Sequence, residues 1–260
     1  LRNIKRMTEI ENAIQAYMRP AASQGRTVEQ VGPFLATFSE HTDLTFLNYA
    51  IPDDNAQPAP QEVASLIAAY QWRQRIARLE YIPALNPAVL PPLLAAGFEV
   101  EGEYPIMVYN REASQNVCAP AGIELVKAST DDELMATLVA QFDAYGQEEA
   151  PTAEDVQRLR ESLEAGAVIV LARDSETGTP AGGGVCLPPF GGVSELAGIG
   201  VRPAFQRRGI AAAVTALLAQ EMAAVGTSVI FLTPGHDEAE RVYQRVGFET
   251  VSKILHISKS

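Results

Sequence analysis

In a sequence of 260 residues, those best suited to chemistry lie between Glu195 and Ala211: Glu-Leu-Ala-Gly-Ile-Gly-Val-Arg-Pro-Ala-Phe-Gln-Arg-Arg-Gly-Ile-Ala. An apolar strand runs into a proline turn and then, through Gly209, into a long apolar-faced helix. The first four N–H groups of a helix have no intrahelical partner, and its aligned peptide dipoles leave partial positive charge there. Such a helix start holds anions. Gly209 lets the backbone approach a ligand closely, and Arg207 and Arg208 add charge, so a pyrophosphate is the natural occupant. No Gly-Lys-Ser/Thr follows, as a Walker loop requires, and no GxGxxG with a trailing ribose-binding acid is present. A pyrophosphate cofactor other than a nucleoside triphosphate or NAD is favoured.

The segment Gln206-Arg207-Arg208-Gly209-Ile210-Ala211 resembles the Q/R-x-x-G-x-G/A acetyl-CoA loop of the GNAT N-acetyltransferases. Val201-x-Pro203 before it and Ala239-x-x-x-Tyr243-x-x-x-Gly247-Phe248 after it extend the resemblance over roughly residues 122–258. It implies an acyltransferase that moves an acetyl group from acetyl-CoA to a primary amine of a small molecule or peptide by direct attack. Tyr243 matches the family's general acid, and Glu195, fourteen residues before Gly209, matches the strand glutamate that serves some members as general base. The resemblance assigns the cofactor's pantetheine arm and the oxyanion donor to the backbone of Ile199, Gly200 and Val201, with Gly200 suited to a bulge. Its phosphates fall to Gln206, Arg207, Arg208, Gly209, Ile210, Ala211 and Ala212. His236 stands where the family usually has Asn, a departure that leaves a helix cap, a cofactor contact or a solvent-facing loop residue as its roles. A non-catalytic acyl-CoA-binding or regulatory protein is the alternative.

The elements that must position these residues occur twice. Leu79-Glu80-Tyr81-Ile82-Pro83, a short helix and Gly97-Phe98 parallel Ile230-Phe231-Leu232-Thr233-Pro234, a short helix and Gly247-Phe248, with the prolines 151 residues apart. At the same offset Ala50-Ile51-Pro52 falls on Val201-Arg202-Pro203. Apolar residues at three-four spacing predict helices over 61–77 and 209–225, with further helices over 131–145 and 153–164. Short β-branched runs predict strands over 122–127, 167–172 and 228–232. Strands alternating with helices give a mixed α/β fold, and the repeat makes it a tandem GNAT-like acyl-CoA N-acyltransferase fold. The first copy is shorter, with no room for a counterpart of residues 131–145, so it reads as truncated.

That copy is also disarmed. Asn55-Ala56-Gln57-Pro58-Ala59-Pro60 replaces the loop; its prolines delete donors, and Asp53 and Asp54 put negative charge where phosphates would sit. The polar stretch 110–121 suggests a boundary near residue 115, dividing a degenerate GNAT-like domain (1–115) from a GNAT N-acetyltransferase domain (116–260).

Composition bounds the rest. With 47% apolar residues the chain folds into a globular protein, and a formal charge of −12 repels a phosphate backbone, so nucleic acid is no partner. Cys118 and Cys186 form no CxxC, and His41 and His256 lack triad or metal companions at a useful spacing, so no metal site is expected. No run reaches a membrane span and no secretory signal is evident, so a cytoplasmic monomer or homodimer is the expectation.

Overall fold

The computed structural model describes residues 2–113 and 117–259, with side chains from Arg6 onward. The chain divides into two compact units, one holding residues up to Ile106 and from Val251, the other Met107–Thr250. The boundary expected near residue 115 lies outside the described residues.

The first unit opens with α1 (Arg2–Ser23), whose buried Ile14, Tyr17, Met18 and Ala22 follow helical spacing. A helix thus stands where the sequence reading left no room for one, packed on β2 (Phe34–Phe38) as α4 (Asp131–Ala144) packs on β8 (Pro180–Cys186); the second copy has two helices ahead of its corresponding strands, so the first remains the shorter copy, as expected. β1 (Thr27–Val31) and β2 form a hairpin, and β3 (Ala50–Pro52) joins β2 antiparallel. α2 (Pro60–Trp72) crosses to β4 (Ala77–Tyr81), parallel to β3, followed by α3 (Leu90–Ala95) and β5 (Glu99–Tyr109). α2 stops short of residue 77 because Gln74 takes a left-handed conformation, φ +56°.

The last strand, β11 (Phe248–Lys259), completes this unit from Val251 onward. It lies between β4 and β5 and pairs antiparallel with β4 from Leu255↔Tyr81 to Lys259↔Ala77. Alternation along the paired strands sends Leu79, Tyr81, Leu255 and Ile257 into one core with Val63, Leu66 and Tyr70 of α2. The opposite face carries Arg78, 4% exposed, which pairs with Glu80, donates to both oxygens of Glu101 and donates to His256 Nδ1 at 2.9 Å. The Tyr104 ring lies 4.7 Å from the imidazole, centroid to centroid.

Accepting at Nδ1 requires a neutral imidazole. Burial holds the His256 pKa below its ordinary value, opposed by Glu80 and Glu101 and reinforced by the Arg78 charge. The unfolded chain therefore takes up a proton near the ordinary value of 6.5 while the native one does not. The corresponding stability is present above that pH and is lost as pH falls from it towards the native pKa. In His256→Asn, whose Oδ1 can still accept from Arg78, the melting temperature should fall less between neutral pH and pH ~5 than in the parent. Equal slopes in the two melting series would refute this assignment.

In the second unit β6 (Ile123–Lys127), β7 (Val168–Asp174), β8 and β9 (Val193–Val201) are consecutive antiparallel neighbours. β10 (Val229–Leu232) runs parallel to β9 and antiparallel to Met107 and Val108 of β5. The predicted helices appear as α4, α5 (Ala153–Glu164), α6 (Ile210–Ala224) and, near the C-terminal end, α7 (Asp237–Val246). Thr130 and Thr152 cap α4 and α5, each accepting a backbone N–H three residues on. Both α4 and α6 lie close against β8, and its glycines allow it. A Cβ on Gly183 would meet Thr137 of α4 at 2.7 Å, and one on Gly184 would meet Leu218 of α6 at 3.0 Å.

Candidate active site

β9 and β10 are paired only over Val193–Glu195. Beyond Glu195 the edge of β9 that faced β10 leaves its partner, and the backbone from Leu196 to Val201 is the part free for another extended chain. Glu195 itself is half-buried at the point of separation, on the strand face opposite the buried Ser194 and Leu196. The irregularity expected at Gly200 falls at Gly198, which has φ +62°, with Gly198 and Ile199 together facing one residue, Gly184, of β8. Gly200 remains in register with Gly183, and its small size serves a close approach instead: a Cβ there would meet Ala144 of α4 at 2.9 Å.

The chain leaves β9 through Val201, makes one turn over Pro203–Phe205 and enters α6. Gln206 Nε2 donates to the Val201 carbonyl at 3.2 Å, which fixes the turn. Arg207 sits in the left-handed region at φ +61° and Gly209, the residue before α6, at φ +84°. Two such residues within three positions curl the backbone so that its N–H groups converge. The first intrahelical bond of α6 is Ala213 N–H to Gly209 C=O, so the N–H groups of Ile210, Ala211 and Ala212 project from the helix start. Ile210 is 1% exposed and anchors this turn in the core with Val214 and Leu218, whereas Ala211 and Ala212 are half-buried. The Arg208 guanidinium stacks over Phe205 at 5.5 Å and donates to Ala121 C=O at 3.4 Å, while Arg207 is exposed. The arrangement fits a diphosphate: unpartnered amides, a positive helix end, two guanidinium groups and no Cβ at Gly209.

Tyr243 lies on α7, half-buried against the core that includes Phe248, whose ring is 6.3 Å away. Burial, and secondarily the nearby Tyr145 phenol, push its pKa up to about 12. It is therefore a protonated donor throughout the neutral range. His236 caps α7, its Nδ1 accepting from Ala239 N–H at 3.2 Å, so its ring is partly committed to local structure.

The corresponding segment of the first unit is built otherwise. Asn55 retains a left-handed turn, φ +56°, but the donor at the start of α2 is taken internally, Ala59 N–H to Glu62 at 2.7 Å, with Pro60 as the first helical residue. Asp53 pairs with Arg19 of α1.

The sequence reading missed Gln141 and Tyr145, at the C-terminal end of α4. Gln141 Nε2 donates to Gly198 C=O at 2.6 Å and Tyr145 Oη to Ile199 C=O at 3.2 Å. Their signal was visible: polar or amphipathic residues at positions that continue the buried stripe of Leu134, Thr137 and Leu138.

Comparison with known proteins agrees with this geometry. The family model described as "Acetyltransferase (GNAT) family" matches residues 114–248. A GCN5-related N-acetyltransferase from Kribbella flavida is similar in fold, with a TM-score of 0.77 at 24% identity over 95% of this chain and 94% of that one. A GCN5-related N-acetyltransferase from Sphaerobacter thermophilus gives 0.66 at 16% identity over 87% and 76%. A tandem GNAT protein from the clavulanic acid biosynthesis pathway gives 0.65 at 12% identity over 91% and 84%. A search of curated proteins gives no match. Because the matched region takes in just over half of the 260 residues and holds both the split between β9 and β10 and the Gly209 turn, the chain belongs to the GNAT acetyltransferase family, whose chemistry is acyl transfer.

Proposed function

We propose that the protein is an N-acetyltransferase that uses acetyl-CoA and a primary amine of a small molecule or peptide. The observation that carries this reading is the outward-projecting amide cluster of Ile210, Ala211 and Ala212, set behind Gly209 beside a strand with an unpaired edge. Acetyl-CoA supplies the activated acyl thioester, which a neutral amine attacks directly. Gln206, Arg207, Arg208 and Gly209 with the start of α6 hold its phosphates, and the backbone of Ile199, Gly200 and Val201 pairs with its extended arm and donates an N–H to the carbonyl oxygen as charge develops there. Glu195 Oε, at the mouth of the split, accepts the ammonium proton directly or through water. Tyr243 Oη gives its proton to the departing sulfur, and its high pKa keeps that proton in place across neutral and mildly alkaline pH. The first unit, with its helix start internally capped, is a degenerate copy without a CoA site.

No helix among the described residues is long and apolar enough to cross a membrane. We propose a cytoplasmic location, supported by the two free cysteines.

The test is release of free CoA thiol from acetyl-CoA across a panel of amines. Tyr243→Phe should lower kcat by about 100-fold, the usual size of a general-acid contribution, while the Kd for acetyl-CoA moves less than about threefold. Equal losses in kcat and binding would assign Tyr243 to packing. Tight acetyl-CoA binding with no amine-dependent thiol release would favour the regulatory reading, to which the replacement of the usual Asn by the cap His236 lends some support.

A further inference from the structure

The C-terminal end of α4 is joined to β9 at two successive residues and to the residue that follows the strand. Gln141 donates to Gly198 C=O at 2.6 Å, Tyr145 donates to Ile199 C=O at 3.2 Å, and Arg202 Nε donates to Asp143 at 2.6 Å. The first two acceptors are the two residues of the bulge. A bulge leaves an extra residue outside the ladder, and its carbonyls need donors from elsewhere. Glycine at 198 and 200 makes this stretch the least constrained part of the strand, because glycine has the most conformational freedom to lose. On its other edge β10 offers nothing beyond Glu195. β8 holds Gly200 and Val201 through their pairing with Gly183 and Gly182, so what orients the two bulge residues Gly198 and Ile199 is the α4 side, where the contacts come from side chains one helical turn apart.

We propose that Gln141 and Tyr145 are positioning residues for acyl transfer: by fixing the bulge carbonyls they aim the backbone N–H groups of β9 at the thioester carbonyl. The inference rests on the acetyltransferase reading above. Gln141, at 9% exposure, is a buried amide whose donor is directed at the strand backbone rather than at another helix. Tyr145 adds a second constraint. Its hydroxyl proton is given to Ile199, so its oxygen presents only lone pairs to the open side and can accept from an arriving amine. Tyr243, the neighbouring phenol, keeps the donor role. Two phenols of opposite hydrogen-bonding sense then face one reaction.

The experiment uses the full chain with Gln141→Met, Gln141→Glu and Tyr145→Phe, each keeping the size of the original side chain and removing the donated bond. Because the Gly209 turn that holds the phosphates is built from other residues, Kd for CoA should rise by no more than about fivefold, from looser pairing of the arm, whereas kcat for thiol release should fall by about 10- to 100-fold, the range that a misplacement near 1 Å produces. In ¹⁵N-resolved spectra the amide signals of Gly198, Ile199 and Gly200 should shift or broaden while that of Gly209 stays put. Variants with a lower melting temperature but unchanged kcat per folded molecule and unchanged amide signals would overturn the inference, since a purely structural contact behaves that way. A wild-type chain that binds no acetyl-CoA would overturn the acetyltransferase reading, and this inference with it. A wild type that turns over, matched by all three variants, would overturn the inference alone.

Discussion

Gly209→Glu should abolish measurable acetyl-CoA binding, raising Kd by about 100-fold or more, while leaving a folded protein. The two halves of that expectation have separate causes. A Cβ at this position meets nothing within 4 Å, so the substitution creates no clash. Its conformational penalty is that of a non-glycine residue at φ +84°, about 1–2 kcal/mol, well within the stability of a domain. For binding, the added carboxylate lies at the N–H groups of Ile210, Ala211 and Ala212 and occupies them as an internal anion, and it repels the phosphates those groups would otherwise hold. The first unit already carries a carboxylate at its helix start, since Glu62 in the first turn of α2 accepts from the N–H of Ala59, the residue before the helix. Calorimetric titration with CoA, beside a thermal melt of the same sample, checks both halves. Retained nanomolar-to-micromolar binding in the folded variant would remove α6 from the phosphate site. Gly209→Ala separates conformation from charge: its binding loss should be much smaller than that of the glutamate.

The second large effect concerns stability. Removing residues 251–260 should unfold the first unit while the strands of the second keep their protection. β11 supplies Leu255 and Ile257 to the first unit's core, and each is 2% exposed or less. Burial of one such side chain contributes about 1.5–3 kcal/mol. Two of them, together with the β4 ladder from Leu255↔Tyr81 to Lys259↔Ala77, amount to a large part of the roughly 5–15 kcal/mol that holds a domain folded. Truncation also strips Arg78 of His256 and leaves its guanidinium with only Glu80 and Glu101. Hydrogen exchange followed by peptide mass analysis gives the readout: amides of Ala77–Tyr81 should exchange rapidly, and those of β7 and β8 should remain slow. Uniform protection in the truncated chain would show that β11 is dispensable. Uniform loss would show that the two units unfold as one.

Both predictions turn on features of different legibility. The Gly209 turn could be read directly, because a left-handed residue, a helix start and two arginines are local properties carried by adjacent residues, and the offset of 151 between the copies exposed what the first had lost. The membership of β11 in the first unit was not readable, since nothing in Phe248–Lys259 marks which of two similar units it will pair with. The helix α1 precedes the segments matched at the offset of 151, which begin at Ala50, so the repeat gave no sign of it, and its amphipathic stripe became visible only through what it packs on. The bulge was expected at Gly200 because both Gly198 and Gly200 can make one; the pairing of β8 with β9 placed it at Gly198.

By itself the sequence determined the mixed α/β class, the duplication, the glycine-led start of α6 and the placing of Tyr243 on a short helix, because each is written in short-range periodicity or in residue types a few positions apart. Tertiary structure alone decided which strand completes which unit, where β9 parts from β10, that His236 caps α7 and that Gln141 and Tyr145 fix the strand beside the open edge. These depend on contacts between residues tens to hundreds of positions apart, where many strands and side chains are chemically acceptable partners and only packing of the whole chain selects among them.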